Sequence, residues 1–548
     1  MTFNPRRWLL PALVACFFTA SAGAATESGK GNLATVTWLE KNLQRADILL
    51  LDASPAQLYA VKHIPGAVNV DVFSFGGRET SAAEMEKRFR AWGVSRSRKI
   101  VIYDQGGTYF ATSLFFDLYY HGFPPDHLAV LDGGLSKWQS TGGAVTKDPA
   151  PAPKPGDFHV TRVKDDVRAR LPEFLVASGD PKGNAIVEGL DAGYHFGSTQ
   201  FFDRAGHVPH AISTPNPDFY NADKTFKSPE EIQRMLTYLG IKPGQQVYSH
   251  CGGGIAASVP FFAAKIMLNY PRVKLYKESQ LEWLRDERSL PIWTYDVPTL
   301  QREKSWLSSW GHPMLRQFGV ANLSVIDVRS PESYQQGHVP YAVNIPAEVF
   351  RQNLATPARL AEFLGAAGVD SRYEAVIVSD GGVNASSALA FLMLEKLGQK
   401  RVSVLTDSVD DWALGGLPLV KEATTIGKAR SAQDMAVPVT TYPVHVVDGI
   451  VAGEAERSES LYPKIYIASG KNMPNKARDG KVVHLPYTDL VNADGAPKAA
   501  KDIWNILVKA GLPRYAEIIC IADDPGEAAA NYFILKLMGF PDVKVQVS

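Results

Sequence analysis

The sequence predicts an α/β protein built from four tandem copies of one domain, each a mostly parallel central sheet flanked by helices. Three observations carry this expectation. The chain has 548 residues, more than one hydrophobic core organises, and length alone implies three to five domains. Short β-rich apolar runs alternate with amphipathic segments, the pattern of strands joined by helical crossovers. One motif also recurs: an apolar strand, a polar or Cys position, a short Gly-containing loop, then a helix.

The motif reads "IVIYDQGGTYFATSLFFDLYYHG" at 100–122 and "QVYSHCGGGIAASVPFFAAKIML" at 246–268. It returns as "AVIVSDGGVNASSALAFLMLEKLG" at 375–398 and "IICIADDPGEAAANYFILKLMG" at 518–539. Aligning the loops puts Asp104, Cys251, Asp380 and Asp523 at one position, one domain length apart. A second element, "KHIPGAVNV", "GHVPHAIST" and "GHVPYAVNI", places His63, His207 and His338 ahead of the first three loops. Before each comes a strand ending in an acid: Asp52, Glu188 and Asp327. After each loop helix comes a further strand, and Trp138, Trp283 and Trp412 follow the first three. The fourth copy lacks the His-Pro element and has "KVVHLPYTDL" where the matching strand belongs.

Composition changes mark the boundaries. "TKDPAPAPKPGD" at 146–157 is too Pro-rich for regular structure and reads as a semi-rigid linker. "PIWTYDVPTL" at 291–300 separates copies two and three, and about 420–440 separates three and four. The expected domains are therefore 33–147, 159–293, 300–420 and a degenerate 435–548.

Residues 1–24 read as a secretory signal peptide: Arg6 and Arg7, an apolar run over 8–18, and "AGAA" at 22–25. The run is shorter than the roughly 20 residues of a spanning helix, so no membrane span is expected. "LVAC" offers Cys16 as an alternative lipid-anchor site; cleavage near Ala24 and export, to a bacterial periplasm or beyond, is the favoured reading. Zero formal net charge and 21% charged residues argue against a nucleic-acid partner. Of three cysteines, Cys16 leaves with the signal and Cys520 lies in the apolar run "EIICIAD", as a small buried hydrophobe. Cys251 is left as a free thiol.

A strand-terminal acid, "GHxPxA", then a strand-loop-helix some 40 residues later together resemble the rhodanese (sulfurtransferase) domain. The resemblance covers nearly all of the mature chain and is strongest in copies one to three. It implies an inactive first copy paired with a second that carries the nucleophile, Cys251. Copies three and four would form a second pair with no loop cysteine. In this family a thiolate takes the outer sulfur of a small donor, holds it as a persulfide and passes it to a thiol, cyanide or protein thiol. No cofactor beyond that covalent persulfide is implied. The amides of Gly252, Gly253, Gly254, Ile255 and Ala256 would form the anion cradle. The helix after Ile255 would add a favourable field and lower the thiol pKa. Glycines permit the tight turn and leave room for a sulfur.

Departures narrow the substrate. Ala257 stands where fold-sharing phosphatases need an arginine. The loop carries no charge, which weakens the thiosulfate case; "CGGGIAA" is closer to the "CGSGVTA" of 3-mercaptopyruvate sulfurtransferases, with Gly253 in place of their serine. The arginines expected near "LDAGYHFGST" are missing, leaving His195, Arg204 and His250 as replacements. Asp104, Asp380 and Asp523 would accept hydrogen bonds from their loop amides and stabilise empty cradles. No metal site is expected: His63, His207 and His338 have no second ligand at metal spacing. The competing reading is a non-catalytic sulfur carrier or interaction scaffold.

Overall fold

The computed structural model describes residues 28–29, 32–75, 80–200, 202–320, 322–431, 434–452, 460–473 and 480–547. The expected signal segment 1–24 and Cys16 lie outside the described residues. No described helix is long and apolar enough to cross a membrane.

Each copy forms an α/β unit around a parallel sheet. In the second the strand order is Arg168–Ala169, Val273–Tyr276, Gln246–His250, Asn184–Glu188 and Ala211–Ser213, all parallel. The third and fourth repeat this order with five strands each. The first repeats it and adds an antiparallel edge, Ser28–Gly29 against Leu33–Ala34. The central strands ILLLD (Ile48–Asp52), LSVID (Leu323–Asp327) and EIICI (Glu517–Ile521) are buried along their whole length. Helices cover both sheet faces, and continuous apolar runs are what such strands require.

The units associate in pairs through the helix that follows each loop. Helix Phe110–Tyr120 is buried at every position but Tyr119, so it must be covered all round. Its cover is the second unit's helix, Ser258–Phe261, which widens into a π-helical turn over Phe262–Met267. Phe115 meets Phe262 edge-on at 4.9 Å and Phe116 meets Phe261 at 5.0 Å, each pair adding about 1 kcal/mol beyond area burial. Helices Ala385–Lys396 and Pro525–Leu537 pair the third and fourth units in the same way, with Phe391 edge-on to Phe533 at 4.9 Å. One continuous core thus runs through units one and two and another through three and four.

The recurring histidines and tryptophans close each of the first three units. His63, His207 and His338 bridge to the exiting chain at Thr146, Trp293 and Val420. Trp138, Trp283 and Trp412 donate their indole N–H to Ala144, Pro291 and Pro418 carbonyls. The Pro-rich 146–157 segment lies against the first unit, where Gly156 N–H donates to Arg90 O at 2.8 Å. The 291–300 linker is docked on the fourth unit: Tyr295 donates to Lys498 O and Val297 N–H to Leu537 O. The halves meet directly as well, through Tyr238 to Ala516 O, Tyr515 to Asp218 and Phe196 stacked on Trp504.

Strand register corrects the loop alignment. Glu188 pairs with His250, Asp52 with Tyr103, Asp327 with Val378 and Ala468 with Ile521. The residue after each second partner is Cys251, Asp104, Ser379 and Ala522. Asp380 and Asp523 therefore do not occupy the cysteine position. Both are exposed, one residue further along the chain. The third and fourth loops differ in length from the second, and alignment on glycine and acid letters absorbed that difference.

Candidate active site

Cys251 follows the central strand Gln246–His250 and is only 2% exposed. Gly254 N–H donates to its Sγ at 3.0 Å, and the amides of Gly253 and Ala257 also act on the sulfur. Ser279 Oγ lies 3.9 Å from Sγ and accepts the Cys251 N–H at 3.1 Å. The loop is tied from behind as well, by Gln280 N–H to Cys251 O and Leu281 N–H to Gly252 O.

Each glycine has a distinct reason. A Cβ on Gly252 would meet the Phe202 ring at 3.1 Å. One on Gly253 would meet nothing within 4 Å, so this is the open side of the loop. Gly254 has φ +85°, and a Cβ there would stand 1.7 Å from Lys277 O, so only glycine fits. Of the predicted cradle, Gly253 and Gly254 turn their amides to the sulfur. Ile255 and Ala256 instead face the core, and Ala256 O accepts from Asn216 Nδ2. Ala257 and Ser279 were missed. Ala257 has no distinguishing side chain, and Ser279 arrives from another loop, in "KESQLEW".

The electrostatics also depart from expectation. Burial pushes the Cys251 thiol above its ordinary range, while the three amides and Ser279 pull it down without prevailing. The helix begins only at Ser258, so its first turn does not start at the sulfur as predicted. The first unit completes the site. Its Tyr109, half-buried, has its hydroxyl raised chiefly by burial and next by the nearby Cys251 sulfur. Ser258 Oγ is joined to Thr112 Oγ1 at 2.7 Å and donates to Tyr109 O. The thiol loop thus sits on the seam between units one and two.

The corresponding loops are filled differently. Asp104 is buried and accepts N–H from Gly106 at 2.8 Å and Ala111 at 3.0 Å, a carboxylate in place of an anionic sulfur. In the third unit Ser379 and Asn384 organise the turn; Asn384 Oδ1 accepts the amides of Ser386 and Ser387. In the fourth, Asp524, not Asp523, caps the helix by accepting Gly526 N–H, and it pairs with Arg351.

None of the three candidate replacement residues reaches the sulfur by a hydrogen bond. Arg204 donates to Leu290 O, and His250 is buried with both ring nitrogens unpartnered. His195 lies behind the loop between two carboxylates, 2.6 Å from Glu188 Oε2 and 2.6 Å from Asp296 Oδ1. Burial opposes its charge, but the two acids prevail and raise it to about 9. Its neighbour His207 is pushed down to about 4, by burial first and the His195 charge second. No second ligand stands near His207 in the sequence; the fold brings His195 and Asp296 beside it, their side-chain donor atoms within 4.8 Å of one another.

A family model described as Rhodanese-like domain matches residues 35–141 and 313–414. "Sulfur carrier protein TtuD" of Thermus thermophilus is 28% identical over 46% of this chain and 93% of its own length. "Probable 3-mercaptopyruvate sulfurtransferase" of Pseudomonas aeruginosa is 29% identical over 48% of this chain and 98% of its own. Among solved structures, SseA from Escherichia coli aligns at 22% identity and TM-score 0.41, over 46% of this chain and 99% of that one.

Proposed function

The chain belongs to the rhodanese-like sulfurtransferase family, and from that premise we propose that it transfers sulfane sulfur through a persulfide on Cys251. The observation that carries this reading is one sulfur at the strand-to-helix turn, held by amides of its own loop. The equivalent positions hold Asp104, Ser379 and Ala522, none of which can form a persulfide. The other three units then serve as structure or as interaction surface.

The step balances with a small donor. The Cys251 thiolate attacks the outer sulfur, the bond from that sulfur to the donor breaks, and the leaving group keeps the electron pair as sulfite or as pyruvate after its carbon takes the thiol proton. The persulfide's terminal sulfur bears the negative charge, which is what converging amides stabilise. A thiol or cyanide then attacks that sulfur and releases the Cys251 thiolate. Gly253, the open side of the loop, is where the donor approaches. Burial works against the free thiolate, so donor binding must accompany deprotonation. Export ahead of this chemistry rests on the 1–24 segment, and cell fractionation of the full-length chain tests it.

The second reading, a sulfur carrier, draws on the 2% exposure of Cys251 and its uncharged loop. One experiment separates the two. Purified protein and Cys251→Ala are given thiosulfate or 3-mercaptopyruvate with cyanide or a thiol, while mass spectrometry follows sulfur on Cys251. Turnover that disappears in the variant supports the enzyme. A persulfide without turnover from any donor leaves the carrier; neither persulfide nor turnover sinks both.

A further inference from the structure

We propose that the third unit binds a small organic carboxylate with an apolar body, in a cavity of about 230 Å³ built around Arg316. The proposal rests on no part of the Cys251 reading. Leu307, Val339, Trp412 and Pro418 wall the cavity, and Arg316 and His312 are its polar lining. Among the described residues Arg316 has no acid partner; its hydrogen bonds go to main-chain carbonyls.

Arg316 is oriented without being neutralised. Its Nε donates to Gly311 O and its Nη1 to Leu323 O, both at 3.2 Å. The guanidinium lies over the Tyr341 ring, 4.6 Å from its centre. Burial lowers its pKa to about 10, and Tyr341 alone acts in the other direction, so the group is still charged at neutral pH. A largely buried guanidinium with no counter-ion is unfavourable by itself, and an anion in the cavity supplies one. His312 adds a donor. Its Nδ1 accepts Met314 N–H at 3.2 Å, which puts the proton of the neutral ring on Nε2.

The repeats supply an internal control. In unit one five residues, 43–47, join helix Val36–Asn42 to strand Ile48–Asp52. In unit two five residues, 179–183, join Leu171–Ser178 to Asn184–Glu188. In unit three the same connection, from Lys304–Trp310 to Leu323–Asp327, takes twelve residues, 311–322. The longer connection carries both His312 and Arg316. In unit one the arginine of the short connection, Arg45, is paired with Asp47 at 2.6 Å. The turn position that supports Arg316 differs too: it is Gly66, His210 and Tyr341 in the three units. Trp310, Met314 and Phe318 stay exposed in this stretch, so completing the core does not account for the added length.

The lining sets the class of ligand. One guanidinium and one imidazole N–H match a single negative charge on a planar carboxylate. A phosphate dianion brings more acceptor oxygens than these two groups satisfy. Leu307, Val339 and Trp412 are buried apolar walls, so the rest of the molecule must be apolar as well. The volume is below the roughly 300–1,000 Å³ that holds drug-sized ligands, which limits the body to about one ring or a short branched chain.

The test is isothermal titration calorimetry of the full chain with phenylacetate, 3-phenylpropionate and 4-methylpentanoate, each beside its neutral amide. The expected result is one site per chain for at least one acid, with its amide about tenfold weaker or more. Arg316→Met should weaken that acid by about tenfold or more. Ser308→Trp should block it. Ser308 lines the cavity and its hydroxyl donates to Ser305 O, so the change fills the space and leaves Arg316 in place. Circular dichroism checks both folds; if Arg316→Met does not fold, the acid–amide pair and Ser308→Trp decide. No saturation by any acid below about 10 mM, an amide bound as tightly as its acid, or parent-like binding in the folded variants overturns the site.

Discussion

Gly254→Ala perturbs the sulfur loop at the point where its geometry is tightest. The residue sits at φ +85°, where a side chain costs about 1–2 kcal/mol. The added methyl would also stand 1.7 Å from Lys277 O. That atom is main chain and cannot rotate aside, so loop and strand end must separate, an overpacking cost of about 1–3 kcal/mol. The expected destabilisation is about 2–5 kcal/mol in total. Separation also withdraws the Gly254 amide from Sγ, so persulfide formation should fall with stability. Gly253→Ala is the matched control: its Cβ meets nothing within 4 Å, and the change should stay within about 0.5 kcal/mol. Urea denaturation of both variants gives the stability difference; iodoacetamide labelling of native protein reads the exposure of Cys251. Gly254→Ala as stable as Gly253→Ala, with Cys251 still shielded and still forming persulfide, would refute the argument.

Ser279→Ala removes the acceptor of the Cys251 N–H, costing about 1–3 kcal/mol, and one of the groups that pull the thiol down. The inflection in the pH profile of Cys251 alkylation should therefore move to higher pH. Asp132, at the seam of units one and two, accepts Phe226 N–H and is raised to about 6, mainly by burial and then by Asp223. A carboxyl raised on folding contributes stability that is full below its unfolded value and lost as pH rises through about 6. Asp132→Asn should therefore be more stable than the parent by about 1–3 kcal/mol at pH 7 and no more stable at pH 3, measured by denaturation at both. In a Cys251→Ala background, Ser379→Cys should resist alkylation and Asp380→Cys should react as a free thiol. The reverse order would restore the original loop alignment.

Much of the fold was legible because repetition amplified weak signals. A single apolar run such as "AVIV" suits a strand or a buried helix, but four copies before a Gly-containing loop leave one reading. Cys251 stood out because the other copies lack a thiol there. The loop alignment failed where letters replaced geometry: Asp380 and Asp523 matched by type, whereas sheet pairing puts Ser379 and Ala522 in register. The predicted cradle ran along consecutive residues, yet a turn with Gly254 at positive φ aims the Gly253, Gly254 and Ala257 amides inward and sends Ile255 and Ala256 to the core. Ser279 had no signal because nothing near it in sequence refers to Cys251.

By itself the sequence determined the α/β repeat, the strand-loop-helix unit and the single loop thiol, because periodicity, glycine placement and residue type are local properties of the chain. The tertiary structure decided the pairing of the units, the sign of the shift at Cys251 and the meeting of His195, His207 and Asp296. Those depend on burial and on through-space distance. His207 and Asp296 are far apart in the chain and 3.7 Å apart in the fold, a relation that no spacing rule along one dimension can carry.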